Sequence, residues 1–315
     1  MAGRVLRLTF AAIFLFLREA IMIRCLFALF LILPLVSLAV DACAEGCSPH
    51  KVGQWRVSLL TDGARNSSAS LLFGANKELV KKYLKNGEYA TAMQYFLVRG
   101  HGKTILVDTG LGTNLSRYLH EQGIKAEDID AVFITHMHGD HIGGLLAADK
   151  AAFPRATVYM AEREKAYWSD PQMMAQAGAA KKDGFLLAQK VLAVYGDRVH
   201  TFTPGALETG GTTLLPSIAA IAAYGHTPGH SIFLLEDGQD KLLFWGDLTH
   251  AMAIQMPVPE VALVYDVDAK EAVATRLKVL KYVSDHKLTV AGMHIPDPAI
   301  GSVQAMGAGP SAPAG

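Results

Sequence analysis

Thr135-His136-Met137-His138-Gly139-Asp140-His141 is the stretch whose reading decides the fold. It follows Ala131-Val132-Phe133-Ile134, a short apolar run rich in strand formers. The chain has 12 histidines, and three of them fall at positions 136, 138 and 141. Imidazole and carboxylate are the usual ligands of zinc and similar ions. His136 and His138 are two residues apart, so in extended backbone they share one face. Asp140 and His141 are adjacent and must point differently. One ion cannot easily take all four, whereas two ions side by side can. His136 and His138 then serve one ion, and Asp140 and His141 the other. Gly139, Gly143 and Gly144 let the backbone bend that tightly. The competing reading is a polar surface loop, which the preceding buried-type strand disfavours.

Working outward, each site needs more ligands. Gly225-His226-Thr227-Pro228-Gly229-His230 follows the strand-like run 218–223. Trp245-Gly246-Asp247 follows Leu242-Leu243-Phe244, and Gly292-Met293-His294 follows Leu288-Thr289-Val290-Ala291. All of these groups stand where strands end, so they can gather along one edge of the sheets. Helices are expected over 113–122, from Asp140, over roughly 161–194 with a break at Asp170-Pro171, and over 269–285 with Asp268 as its cap. Strands are expected at 55–60, 94–98, 104–107, 157–160 and 232–235. Two similar sets of elements without a linker point to one α/β domain of two sheets with helices outside.

The metal run and its neighbours resemble the signature of the metallo-β-lactamase fold superfamily. Asp108-Thr109-Gly110 is similar to the turn that precedes that signature, and His226, Asp247 and His294 follow in its order. The resemblance covers about residues 55–297. It implies an αββα sandwich with two divalent ions, zinc by default, at one edge. It implies that His136, His138 and His226 hold the first ion, that Asp140, His141 and His294 hold the second, and that Asp247 bridges them. It also implies that Asp108 braces the metal loop and that His230 supports the ligands from behind. The expected reaction is attack by a metal-bridging hydroxide, with Asp140 passing a proton to the leaving group.

The branch is narrowed by Asp247-Leu248-Thr249-His250, Gln255, Pro257, Tyr265-Asp266-Val267-Asp268, Ala272 and Thr275-Arg276. This stretch resembles quorum-quenching lactonases and methyl-parathion-hydrolase-like enzymes. True β-lactamases of the fold have Cys or Ser near the role of Asp247, which argues against that activity. Better-known acyl-homoserine lactonases carry Tyr three residues after the bridging Asp. Here that place is His250, expected to orient a substrate oxygen. The expected function is therefore a lactonase-like or ester hydrolase. The alternatives are a phosphotriesterase-like enzyme, a glyoxalase-II-like thioesterase sharing the His226-to-His230 pattern, and, last, a non-catalytic metal-binding protein. Trp168, Phe153, Met252, Ile254 and Met256 are candidates for an apolar pocket, though ordinary core is favoured residue by residue.

Composition sets outer bounds. The 315 residues are 51% hydrophobic, with 29 Lys+Arg against 29 Asp+Glu. No Lys/Arg-rich run is present, so nucleic acid is not an expected partner. A small-molecule substrate is. A homodimer is compatible with the sequence, which leaves the oligomeric state open. Residues 1–44 read as a secretory signal: Arg24, an apolar run over 25–36, and a small-residue exit at Ala42-Cys43-Ala44. Met22 is a natural start for it, which makes 1–21 an over-extension. A retained membrane anchor is the competing reading, and Asp41 fits poorly with lipidation at Cys43. Cleavage after Ala44 removes Arg4, Arg7, Arg18 and Arg24 with Glu19 and Asp41, leaving a formal charge of −2 from the 29 and 29. It also leaves Cys47 as the sole cysteine, so no internal disulfide forms. The expectation is a periplasmic or secreted enzyme with no stable membrane partner, a hydrolase domain over 45–300 and a disordered Gly/Ala/Pro/Ser tail over 301–315.

Overall fold

The computed structural model describes residues 49–303. The expected leader and most of the expected tail lie outside the described residues. Among the described residues no helix is long and apolar enough to cross a membrane.

Two main sheets carry the fold. The first has seven strands in the spatial order His50–Val52, Trp55–Ser68, Glu88–Gly100, Lys103–Val107, Ala131–Phe133, Thr157–Ala161 and Val199–Phe202. Its first four strands are antiparallel and the rest join in parallel. The second has six: Thr212–Leu215, Ile218–Ala222, Ser231–Asp237, Asp240–Phe244, Thr289–Ala291 and Ile300–Ser302. Only Asp240–Phe244 and Thr289–Ala291 pair in parallel there.

Side-chain alternation along the strands builds the layers. Phe96, Val98, Phe133, Phe233, Leu235 and Phe244 face inward and form the core between the sheets. Phe133 meets Phe233 edge-on at 5.4 Å, and Phe96 meets Phe244 at 5.2 Å. The opposite face of the first sheet, with Leu97, Val132, Val158 and Met160, is covered by helices Leu115–Glu121, Glu162–Ser169 and Ala179–Tyr195. The opposite face of the second, with Ile221, Ile232, Leu243 and Val290, is covered by Val279 and Val283 of helix Ala269–His286. The result is the αββα sandwich expected from the sequence.

The helix ends follow local chemistry. Asp268 caps Ala269–His286 by accepting from Glu271 N at 2.9 Å. Pro171 interrupts the expected long helix, leaving Glu162–Ser169, Pro171–Gln176 and Ala179–Tyr195. The helix expected from Asp140 is a single turn, Gly139–Ile142. Strand Trp55–Ser68 runs well past the expected end at Leu60, because it pairs along its length with Glu88–Gly100. That long hairpin projects beyond the sandwich edge at which the metal run lies.

Candidate metal centre

The metal run leaves strand Ala131–Phe133 and is pinned at its start. Asp108 accepts from Thr135 N at 2.8 Å and Thr135 Oγ1 at 2.7 Å. Asp108 also meets His141 Nδ1 at 2.7 Å, a contact the sequence did not suggest. His226, Asp247 and His294 come to the same edge from the second sheet. All seven residues expected as ligands are thus brought together.

They form two groups. The donor atoms of His136, His138, His226 and Asp247 lie within 4.8 Å of one another, as do those of Asp140, His141 and His294. His138 Nδ1 is 2.9 Å from His136 Nε2 and 3.0 Å from His226 Nε2. Asp247 stands between the groups. Its Oδ2 is 3.2 Å from His226 Nε2 and 3.2 Å from His294 Nε2, and its Oδ1 is 3.1 Å from His141 Nε2.

The outward nitrogens fix which atom faces inward. His141 Nδ1 is held by Asp108, His226 Nδ1 by Asp266 at 2.8 Å, and His294 Nδ1 by the Ala92 carbonyl at 2.6 Å. Each of these partners only accepts, so each Nδ1 carries a proton and Nε2 is the nitrogen turned to the centre.

These donors fit divalent ions. Three imidazole nitrogens converging within hydrogen-bond distance leave lone pairs facing one another. His141 Nε2 and Asp247 Oδ1 are buried without a hydrogen bond. Unsatisfied buried polar atoms are costly, and cations between them would remove the cost. The electrostatics agree. Burial opposes ionisation of Asp247, but His141, His294, His250 and His136 outweigh it and hold its carboxyl well below the usual range. Burial also opposes charge on His226, yet its bonds to Asp247 and Asp266 push it up to about 9. The centre as built strongly attracts positive charge.

The sequence pattern of the metallo-beta-lactamase superfamily matches residues 94–294, a span that holds every one of these ligands. The chain belongs to the metallo-beta-lactamase superfamily. Its fold is similar to hydrolase AbOPH of the beta lactamase superfamily, with a TM-score of 0.71 and 28% identity over 82% of this chain and 94% of that one. It is equally similar to AidC, a dizinc quorum-quenching lactonase, with a TM-score of 0.71 and 28% identity over 82% and 93% of the two chains. Acyl-coenzyme A thioesterase MBLAC2 of Bos taurus is 30% identical over 172 residues, 49% of this chain and 57% of that protein. Other curated relatives are matched over as little as 14% of their length. This superfamily member is a metal-dependent hydrolase.

Support behind the metallo-beta-lactamase edge is extensive. His230 Nδ1 donates to the Ala223 carbonyl at 2.8 Å, and its Nε2 accepts from Asp247 N at 3.0 Å. Burial pushes His230 down to about 3, which keeps that acceptor available. A Cβ on Gly246, at φ 55°, would meet His230 Nε2 at 2.4 Å, so only glycine lets Asp247 dock there. The loop after Asp247 is held by residues the sequence reading used only as branch markers. Gln255 Oε1 accepts from His250 N at 2.8 Å and Ala251 N at 3.0 Å. Buried Arg276 donates to the carbonyls of Leu248, Pro259 and Val261.

His250 lies against Asp247, its Nε2 2.9 Å from Asp247 Oδ2 and its ring stacked on His294 at 4.3 Å. The carboxylate can only accept, so Nε2 carries the proton. Nδ1 is buried without a partner. In this tautomer Nδ1 is an acceptor. Burial pushes His250 down to about 4 against the pull of Asp247, which favours this neutral form.

A cavity of about 370 Å³ opens over the centre. Beside the ligands and His250 it is lined by the apolar side chains Leu71, Met93 and Leu111 and by the polar side chains Arg65, Tyr89 and Tyr265. The five candidates for an apolar pocket do not line it. Trp168, Phe153, Met252 and Ile254 are buried in the core clusters or the loop beside them, and Met256 packs on helix-side core.

Proposed function

We propose that this hydrolase binds two divalent ions, zinc by default, and opens lactones or esters. The observation that carries the reading is Asp247, placed within 3.2 Å of ligand nitrogens from both groups. The likeness to a dizinc lactonase supports it. His136, His138 and His226 would hold one ion, Asp140, His141 and His294 the other, and Asp247 both. Such a pair lowers the pKa of water from about 15.7 toward neutrality and stabilises negative charge on a reacting oxygen.

The chain's own groups supply the rest. His250 lines the pocket, its Nε2–H held against Asp247 and its buried Nδ1 left as a proton acceptor without a partner. Asp140 has 28% of its side chain exposed, and it stands where a proton can pass to a leaving group. Leu71, Met93 and Leu111 would exclude water from beside an acyl or alkyl portion. Changing His250→Ala is expected to lower kcat by about 100-fold, the scale of a lost proton acceptor. Bound metal should stay unchanged. Unchanged kcat would remove His250 from the mechanism, and a fall in metal content would make it a ligand.

Thioester hydrolysis is the second reading, favoured by the match to an acyl-coenzyme A thioesterase over 172 residues. The zinc-loaded protein assayed on lactones, aryl esters, thioesters and phosphotriesters separates these. Lactone or ester turnover should exceed the others in kcat/KM. A preference for thioesters or phosphotriesters would overturn the first choice.

A further inference from the structure

Helix Glu162–Ser169 follows strand Thr157–Ala161 with the charged run Glu162-Arg163-Glu164-Lys165. Such a run reads as a solvent face, yet Glu164 is fully buried at 0% exposure. Its Oε1 accepts from Met137 N at 2.9 Å and from Trp168 Nε1 at 2.6 Å. Its Oε2 accepts from Thr227 Oγ1 at 2.7 Å and Gly229 N at 2.9 Å. Both oxygens are thus doubly satisfied by neutral donors, the arrangement that lets a carboxylate be buried.

The identity of the partners matters. Met137 lies between His136 and His138, and Thr227 directly follows His226. One side chain therefore ties together the two loops that carry the first ligand group. Gly229 permits this, because a Cβ there would sit 2.3 Å from Glu164 N. The second group is braced by other atoms: Asp108 on His141 and the Ala92 carbonyl on His294. No bond from Glu164 reaches Asp140, His141 or His294.

We propose that Glu164 is a positioning residue for the ion held by His136, His138 and His226, and that it sets affinity at that group selectively. The proposal rests on the two-ion reading. Removing a hydrogen-bonded support of metal ligands costs about 10–100-fold in affinity in general. Here the loss falls on one ion of two, because only one pair of loops is released.

The test is Glu164→Gln, which keeps the shape but turns an amide NH₂ toward two donors. Full-length protein is stripped of metal and titrated with zinc against a chromophoric chelator. One of the two zinc equivalents should weaken by about 10–100-fold, and the other should stay within about 2-fold. Cobalt(II) absorption should change for one equivalent alone. The rise in Tm that zinc produces should shrink, while the metal-free Tm moves less. Thr227→Val, which removes one donor and keeps the carboxylate, should show the same selectivity in smaller measure and serves if the first variant does not fold. Two affinities that stay unchanged or fall in step, with equal losses of Tm in the metal-free and loaded forms, overturn the proposal and leave the two-ion reading standing. A wild-type protein that takes up one equivalent sinks that reading and the selectivity with it.

Discussion

Asp247→Ala should reduce kcat/KM by about a thousand-fold or more, roughly 4 kcal/mol of transition-state stabilisation. The Asp247 carboxylate lies against ligand nitrogens of both groups. Its Oδ2 lies 3.2 Å from both His226 Nε2 and His294 Nε2, and its Oδ1 3.1 Å from His141 Nε2. It also anchors His250. On the proposed two-ion reading, alanine removes the shared ligand, the charge that would allow two cations to sit close together, and the partner that holds the proton on His250 Nε2. Asp247→Asn is the sharper variant, since it keeps volume and loses charge. It should retain the backbone bond to His230 and lose most activity all the same. Turnover within 10-fold of wild type in either variant refutes the bridging role.

Removal of the ions should have the largest effect on stability. A ligand at a thousand times its Kd stabilises a folded chain by about 4 kcal/mol. For a domain of this size each kcal/mol moves Tm by about 2–4 °C, so stripping two such ions should lower Tm by roughly 15 °C or more. The physical cause is visible in the bare cluster. His138 Nδ1 is left facing two imidazole nitrogens within 3.0 Å, and His141 Nε2 and Asp247 Oδ1 are buried without partners. Scanning calorimetry of chelator-treated and zinc-reloaded protein measures the shift, and reloading should restore it together with activity. An unchanged Tm would mean that these side chains hold no ion of consequence.

The ligand edge was legible because its signal is local. Three histidines and an aspartate within one turn of chain need no tertiary knowledge to be noticed, and His226, Asp247 and His294 each end an apolar strand. The helix over 269–286 was equally plain from its cap and its periodicity. Glu164 was not legible. Its neighbours in sequence are charged, and it is buried only because Gly229 and Thr227 dock on it from the other sheet. Arg276 is hidden in the same way, since its carbonyl partners come from the loop 248–261. The pocket wall was not legible for a related reason: long-range pairing with 88–94 carries the strand past Leu60 and brings Arg65 to the cavity. Trp168 is core, as the sequence favoured, and donates its indole N–H to Glu164.

The ligands are divided between the layers. The half containing residues 50–202 supplies His136, His138, Asp140 and His141, and the half containing 212–302 supplies His226, Asp247 and His294. Neither half alone has a complete coordination set. On the proposed two-ion reading, ion capture is expected to come after the distant segments have met, which is the slow part of assembling a sheet-rich topology. Met293 O and Gln94 N, bonded at 2.9 Å, mark one seam at which they meet. The rate at which the refolding chain takes up zinc should then report closure of that seam rather than encounter with the ion. In a metal-poor setting the chain would still assemble on the aromatic core around Phe133 and Phe233, with its edge left unlatched.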